Sequence, residues 1–214
     1  MKGVVILLLA IVMPFLGRSQ KKLLPLDDPK KAINLSFEKY RQALTDEKWE
    51  AAAQWLDKGT SDYYHNLLGW IRFADSTQVQ SLPVADKFSV LVVRQRIPRG
   101  QIATLDARAL FVYLSQIGIT GKKQFVHNTI GNIKINGNTA TAQLFVMSKP
   151  QPFFIQFNDE NGWKINLGAI FTDTQTAMLQ MAEKKQLSET KFVLNTIKWD
   201  GTKESDAAVW KPTN

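Results

Sequence analysis

Cysteine is absent from the 214 residues of this chain, and histidine occurs only twice, at His65 and His127. Without cysteine the protein can form no disulfide, thiolate metal site or thiol nucleophile. The two histidines form neither an H-x-x-x-H nor an E-x-x-H pattern, so the sequence gives no support for a zinc site. We therefore expect no metal and no cofactor.

Acidic residues are missing from 52 consecutive positions, Ala107 to Asn158. The next acids are Asp159 and Glu160, in the turn-like stretch "NDENG". A buried carboxylate whose pKa is raised toward neutrality can take a proton from carbon beside a carbonyl. The segment that we predict to form the sheet lacks such a group, which argues against this chemistry.

Basic residues outnumber acidic ones, and the formal net charge is +8. Of the 27 basic residues 20 are lysines dispersed along the chain, which is typical of a solvated surface. We expect no nucleic-acid partner. A basic exported protein favours anionic surfaces such as lipid headgroups or acidic glycans.

Long apolar runs are also scarce, and the clearest is the 14-residue stretch Gly3 to Leu16. It is shorter than the roughly 20 residues that a transmembrane helix needs. Lys2 precedes it, and the small residues Gly17 and Ser19 stand at −3 and −1 of a cleavage before Gln20. This pattern predicts a secretory signal peptide and a periplasmic or secreted protein. The alternative is an uncleaved membrane anchor.

The first half of the chain shows apolar residues at helical spacing. Asp28 is a predicted cap for the first helix, Thr45 for the second and Ser61 for the third, with Gly59 ending the second. The fourth segment contains the β-branched run 90–93, but its wider spacing favours a helix. The predicted helices are "DDPKKAINLSFEKYRQAL", "DEKWEAAAQWLD", "SDYYHNLLGWIRFADS", "SLPVADKFSVLVVRQRIP" and "QIATLDARALFVYLSQIG".

After Gly121 the pattern changes to the period of two that is typical of strands. The "NG" pair at 136–137 predicts a hairpin turn, and a strand from Thr139 to Met147 follows it. "KPQP" is expected to interrupt the sheet before strands "FFIQF" and "WKINLG". Two helices then close the chain, the first with a capping box formed by Thr172 and Gln175. Ser188 is the predicted cap of the second, and Trp210 is expected to pack back on the core.

Helices followed by an antiparallel meander predict an α+β fold, with N-terminal helices packed on a curved sheet of about four strands and a helical C-terminal extension. The predicted organisation assigns 1–19 to the signal peptide, 20–30 to a leader, 31–171 to a cone-like domain and 172–214 to the extension.

Two blocks resemble the nuclear transport factor 2-like superfamily. "FEKYRQALTDEKWEAAAQWLD" resembles its opening helix pair, and "IGNIKINGNTATAQLFV" with "FFIQFNDENGWKINLG" resembles its late strands. The resemblance covers under half of the chain and implies a cone-shaped fold around a pocket. Some such proteins are isomerases or dehydratases, whereas many are binding or dimerisation modules, so the fold alone does not decide the function. The helices of 61–118 and the tail 172–214 depart from the pattern.

His127 is the candidate catalytic residue in the sequence. By strand parity it shares a face with Ile133 and Ile135, provided that no bulge intervenes near Gly131, and it would then line the pocket. As a base it needs a partner, for which the carboxylates of Asp86 and Asp106 and the phenol of Tyr113 are available. The expected pocket walls are Tyr113, Phe153 and Trp163. The alternative for His127 is a partly buried side chain without chemistry, and His65 reads as a surface helix residue.

Arg94, Arg96, Arg99 and Arg108 place four of the seven arginines within 15 residues. They form either an anion or acidic-partner patch or a solvated helix end. Taken together, the sequence predicts an exported, non-catalytic protein that binds a small apolar ligand or an envelope protein. The rivals are a cone-pocket isomerase, dehydratase or hydrolase using His127 with Tyr113 or Asp106, and a homodimerising interaction module.

Overall fold

The structure, a computed structural model, describes residues 28–119, 127–198 and 207–213 and has an α+β fold. Seven helices precede the sheet within this part of the chain: α1 Pro29–Thr45, α2 Trp49–Ala53, α3 Lys58–Phe73, α4 Ser76–Ser81, α5 Val84–Arg96, α6 Arg99–Thr104 and α7 Ala107–Gln116. The strands are β1 Asn128–Asn136, β2 Thr139–Val146, β3 Lys149–Asp159 and β4 Trp163–Asn166. Helices α8 Gly168–Lys184 and α9 Glu189–Lys198 and a 3-10 helix, Ala207–Trp210, follow. The predicted fold class is confirmed.

Helix α1 begins as the sequence predicts. The Asp28 side chain accepts a hydrogen bond from Lys30 N at 2.9 Å, and Pro29 occupies the first helical position, where its missing N–H costs nothing. The apolar face of the helix is fully buried, and its largest members are Ile33, Phe37, Tyr40 and Leu44.

The predicted boundaries of the second and third helices are wrong. Thr45 is the last residue of α1, and its hydroxyl donates to Arg41 O instead of capping α2. Helix α3 starts at Lys58 under an Asp57 cap, four residues before the start that a Ser61 cap predicts, and Gly59 lies inside it. A Cβ at Gly59 would stand only 3.3 Å from Asp57 Oδ2, so this glycine reflects close packing rather than a helix end.

The fourth predicted segment is a helix, α5, which ends before Pro98. The predicted fifth helix is in fact two helices, α6 and α7. They are separate because Asp106 leaves the helical conformation and caps α7, where its side chain accepts a hydrogen bond from Ala109 N at 2.7 Å. Helix α4 was also missed by sequence reasoning, and it begins with a capping box formed by Asp75 and Gln78.

The sheet is an antiparallel meander in the order β1-β2-β3-β4. The predicted hairpin is present, but its two turn residues are Gly137, with φ 58°, and Asn138, because Asn136 ends β1 and pairs with Thr139. "KPQP" does not interrupt the sheet, since β3 begins at Lys149. Pro150 and Pro152 are tolerated because β4 pairs only with residues 156–159 of β3, so the start of β3 has its neighbour on the β2 side alone.

The helices pack against the sheet and against one another. α1 packs against β1 and β4, the two outer strands, while α8 packs against β3 and α5. The predicted capping box of α8 is wrong, because this helix starts at Gly168. Thr172 donates to Gly168 O within the helix, and Gln175 Oε1 accepts from Ala85 N at 3.0 Å, which ties α8 to α5. Of the helices in the described ranges, none is long and apolar enough to cross a bilayer.

Candidate functional site

A cavity of about 270 Å³ lies among α1, α3, α5, α7 and α8. Its walls are aromatic and aliphatic. They are formed by Tyr40, Tyr63, Tyr64, Leu67, Ala85, Phe88, Ser89, Leu114, Gly118, Ile119, Leu167, Ile170, Phe171, Thr174 and Met178. The rings of Tyr63 and Phe171 stack at 4.1 Å between centroids, and Tyr64 meets Phe171 edge-on at 5.9 Å. Such stacked and edge-on contacts between rings stabilise the packing of the walls.

Charge is kept out of this cavity. Among its described lining residues there is no carboxylate, imidazole, ammonium or guanidinium group. Burial raises the pKa of the Tyr40 phenol far above its usual range, with the neighbouring Tyr64 adding to the effect. Burial likewise raises the pKa of Tyr63, helped by the carboxylate of Asp86. These phenols are therefore neutral throughout the physiological range, and the walls present only neutral groups.

Tyr63 links the cavity to a buried acid, Asp86. Its hydroxyl donates to Asp86 Oδ1 at 2.6 Å, and burial raises the pKa of Asp86 although this hydrogen bond opposes the shift. Asp86 lies in the first turn of α5, next to Lys87, whose buried ammonium pairs with Glu189 at 3.5 Å. The carboxylate thus stands behind Tyr63 rather than in the described cavity wall.

The raised pKa of Asp86 predicts a pH effect on stability. A carboxyl group whose pKa is higher in the folded state binds its proton more tightly there, so its contribution falls as pH rises from the unfolded value, about 4, through the folded one. We expect the unfolding free energy of the wild type, relative to Asp86→Asn, to decrease over that interval and then level off. Urea unfolding of both proteins at a series of pH values measures this, and a difference that rises with pH would contradict the assignment.

His127 lies at an exposed position immediately before β1, where its carbonyl accepts a hydrogen bond from Met147 N at 3.2 Å. The parity argument fails because the register shifts between Gly131 and Lys134, and Ile135 is itself 36% exposed. The described contacts bring neither proposed partner, Tyr113 or Asp106, to this histidine.

The other expected pocket residues are also dispersed. Tyr113 is half-buried, and burial raises its pKa while nearby Arg96 opposes the rise. Trp163 is buried in the core. Phe153 is 44% exposed and lines a separate groove of about 440 Å³ between β3 and α8. None of the three is among the described residues that line the cavity.

The four arginines do not form one patch. Arg94 is buried and donates to four carbonyl oxygens, those of Trp70, Ile71, Ala74 and Val209. Arg99 is exposed, and Arg108 donates to Glu50 O at 2.6 Å. A surface patch that includes Arg94 is excluded because its guanidinium is turned inward to cap α3.

Two of the residues that the sequence singled out do meet, together with the second histidine. Asp106 and Arg108 line a cleft of about 320 Å³ with Ser61 and His65, over a floor that includes Phe111. Asp106 Oδ1 is engaged in capping α7, and the Ser61 hydroxyl donates to Asp57 O at 3.1 Å. The Ser61 hydroxyl and one oxygen of the Asp106 carboxylate are thus hydrogen-bonded to the backbone, and no described hydrogen bond joins either group to His65.

The cavity itself was missed by sequence reasoning. Helical spacing placed Tyr40 and Tyr64 inward, which the structure confirms, but it gave no role to Tyr63 or Phe171. Phe171 fell at the end of the predicted sheet domain, so its position in a helix facing α3 could not be anticipated. The only available signal was the density of aromatics in "DYYHNLLGW".

Comparison of the chain with protein-family models, with curated proteins and with solved structures found no match.

Proposed function

We propose that the protein binds a small, largely apolar molecule in the cavity between α1, α3, α5, α7 and α8. The observation that carries this proposal is the cavity wall, which is aromatic and aliphatic and holds no charged group among its described residues. A volume of about 270 Å³ is close to the lower end of the range typical of small-molecule sites. An apolar ligand gains free energy there by leaving water.

Binding is favoured over catalysis because the ionisable groups around the cavity are already engaged. Asp86 is hydrogen-bonded to Tyr63 and stands behind it, while His127 is exposed just before β1 and is not among the described residues that line the cavity. An isomerase, dehydratase or hydrolase needs a base within reach of its substrate. If the protein is an enzyme, Tyr63 with Asp86 is a better pair than His127 with Tyr113 or Asp106.

Export to the periplasm or beyond and membership of the nuclear transport factor 2-like superfamily are further parts of the proposal. The order of elements, with helices first and an antiparallel meander after them, supports the latter. An envelope protein partner or a homodimer remains the rival, and native mass spectrometry separates the three by subunit count and by any retained small molecule.

Three threonines on α8 provide a matched test of the cavity. Thr174 lines both the cavity and the groove, and Thr176 lines the groove. Thr172 is not among the described residues that line either of them. All three are exposed and donate to the carbonyl one turn earlier, so phenylalanine at each site carries a similar structural cost. The probe is N-phenyl-1-naphthylamine, a neutral apolar dye whose fluorescence rises in apolar sites.

We expect wild type and Thr172→Phe to bind the dye equally, and Thr174→Phe to bind it at least tenfold more weakly because its ring occupies the cavity mouth. Thr176→Phe should bind like wild type. Loss of binding in Thr176→Phe would place the dye in the groove instead. Undiminished binding in Thr174→Phe would overturn the proposal that the cavity is the site.

A further inference from the structure

The cavity of the proposed site opens onto a second apolar space. The groove of about 440 Å³ between β3 and α8 borders the cavity, because Ile170 and Thr174 of α8 line both. Thr174 is exposed and Ile170 is half-buried, so the cavity is open to water at these two side chains and is not closed by them. The mouth of the cavity therefore leads into the groove.

The groove extends the apolar walls along α8. Its helical side continues from Thr174 to Gln180, which is a rise of about 9 Å at about 1.5 Å per residue. Its other side is formed by three successive residues of β3, Phe153, Phe154 and Ile155. Ile155 is buried, whereas the two phenylalanines are 44% and 46% exposed, so the groove is buried at its base and open above.

An irregularity in the sheet brings these three side chains to one groove. Successive strand residues normally point to opposite faces, which would turn Phe154 away from Phe153 and Ile155. The register of β2 against β3 shifts between Gln143 and Phe145, opposite this part of β3, and a shift of this kind re-aims side chains. The irregular strand thus supplies the groove with more apolar surface than an even ladder would.

The combined space has the size of a typical small-molecule site. The cavity alone, at about 270 Å³, is slightly smaller than the roughly 300 to 1,000 Å³ that such sites occupy, and the groove adds about 440 Å³. A ligand confined to the cavity would leave the walls of the groove in water, whereas a longer one would bury them too. The geometry therefore favours a ligand that is longer than the cavity.

The polar groups along the groove are mostly uncharged. Asn128, Thr176 and Gln180 contribute amide and hydroxyl groups, and Asp173 is the one charged residue among the described residues that line it. No basic side chain is among the described residues that line the cavity or the groove. A carboxylate or phosphate on the ligand would therefore find no cationic partner in these walls and would meet the like charge of Asp173.

We propose that the ligand is a linear, uncharged amphiphile, in its simplest form a long-chain alcohol, whose apolar end fills the cavity and whose remaining chain lies in the groove toward Gln180. This inference rests on the proposed function, because it takes the cavity as the site where the apolar end binds. Each methylene group that leaves water strengthens binding about fourfold. The groove lets this gain continue beyond the chain length that the cavity holds.

The first test compares two chain lengths. Isothermal titration calorimetry, with the protein in the syringe, measures the affinity of the purified protein for 1-octanol and for 1-dodecanol. We expect wild type to bind 1-dodecanol more tightly by about tenfold or more, which is less than four fully buried methylene groups would give, because the groove is open on one side. Thr176→Phe fills the groove and should remove most of this difference, while the affinity for 1-octanol stays unchanged. Thr172→Phe places the same ring at a residue that is not among the described lining residues, and it should keep the difference.

A second pair of variants removes an apolar wall instead of filling the groove. Phe154→Ser should reduce the advantage of 1-dodecanol severalfold, whereas Phe73→Ser should keep it. Phe73 is the matched control because it is 61% exposed and is not among the described residues that line either space. Unchanged binding of 1-octanol shows that each variant is folded.

The inference and the proposed function fail in different ways. If Thr174→Phe weakens binding of 1-octanol but wild type binds 1-dodecanol no more tightly than 1-octanol, the ligand ends at the cavity mouth and the inference alone is overturned. An advantage of 1-dodecanol that persists in Thr176→Phe or in Phe154→Ser would also overturn it, as would dodecanoate binding as tightly as 1-dodecanol. If wild type does not bind 1-octanol, or Thr174→Phe binds it equally well, the proposed function falls and this inference falls with it.

Discussion

Replacing Arg94 by methionine is expected to lower the free energy of unfolding by about 3–5 kcal/mol, the usual cost of breaking a buried charged network. Nε donates to Ile71 O at 2.9 Å, and Nη2 to Trp70 O at 2.8 Å and Ala74 O at 2.6 Å. These carbonyls belong to the last turn of α3 and its cap, where intrahelical donors run out and the helix dipole favours a cation. Methionine leaves them buried without this donor.

The same guanidinium holds the C-terminal segment, since Nη1 donates to Val209 O at 3.2 Å. Burial, with a smaller contribution from Arg99, lowers the pKa of Arg94 to about 10, so the group still carries its charge at neutral pH. Loss of Arg94 should therefore also release the 3-10 helix Ala207–Trp210, seen as faster hydrogen exchange there.

Arg99→Met is the matched control, because Arg99 is exposed and its single described contact is a 3.5 Å approach to Ala208 O. We expect a change of about 0.5 kcal/mol or less in this variant. Urea unfolding followed by circular dichroism measures both. If Arg94→Met costs no more than Arg99→Met, the capping role of Arg94 is wrong.

How far the sequence predicts this fold depends on the range of the interaction involved. The core faces of α1 and α3 follow from apolar spacing along a single segment, and the "NG" turn follows from the left-handed backbone that glycine permits. Both are local signals. The helix starts are less certain, because Asp57 and Ser61 are equally good caps by type.

Asp57 and not Ser61 caps α3, and the Asp57 carboxylate is also bound by side chains about a hundred residues away, in β3 and β4. The inward position of Arg94 was missed for the same reason. Its side chain turns inward because its partners are carbonyl oxygens of another helix, which its own segment does not reveal. The same holds for the cavity, because its walls come from five helices and no short segment carries their pattern. Parity failed for His127 because the register shifts between Gly131 and Lys134, beside the glycine at which the sequence allowed for a bulge without requiring one.

Replacing Asp57 by alanine is the second change from which we expect a large effect, a loss of about 3–5 kcal/mol in unfolding free energy. Asp57 is 0% exposed, and its Oδ1 accepts from Thr60 N at 2.7 Å as the cap of α3. Its Oδ2 accepts from the side-chain amides of Asn158 at 2.6 Å and Asn166 at 2.8 Å. One carboxylate thus joins the start of α3 to β3 and β4.

Asp106→Ala provides the control, because Asp106 caps α7 in the same way, by accepting from Ala109 N at 2.7 Å, but it is exposed and its only described role is that cap. Its loss should cost about 1 kcal/mol. The difference between the two variants measures what the buried amide network adds to a helix cap. Asp57→Asn should fall between them, since it keeps an acceptor for Thr60 N but places an amide N–H₂ against two amide donors. Equal losses in Asp57→Ala and Asp106→Ala would mean that the side-chain contacts of Asp57 to the sheet contribute nothing, and that α3 is held to the β3–β4 hairpin by apolar packing and by its other hydrogen bonds, such as those of Lys58 N to Glu160 and of Asp57 N to Ile165 O.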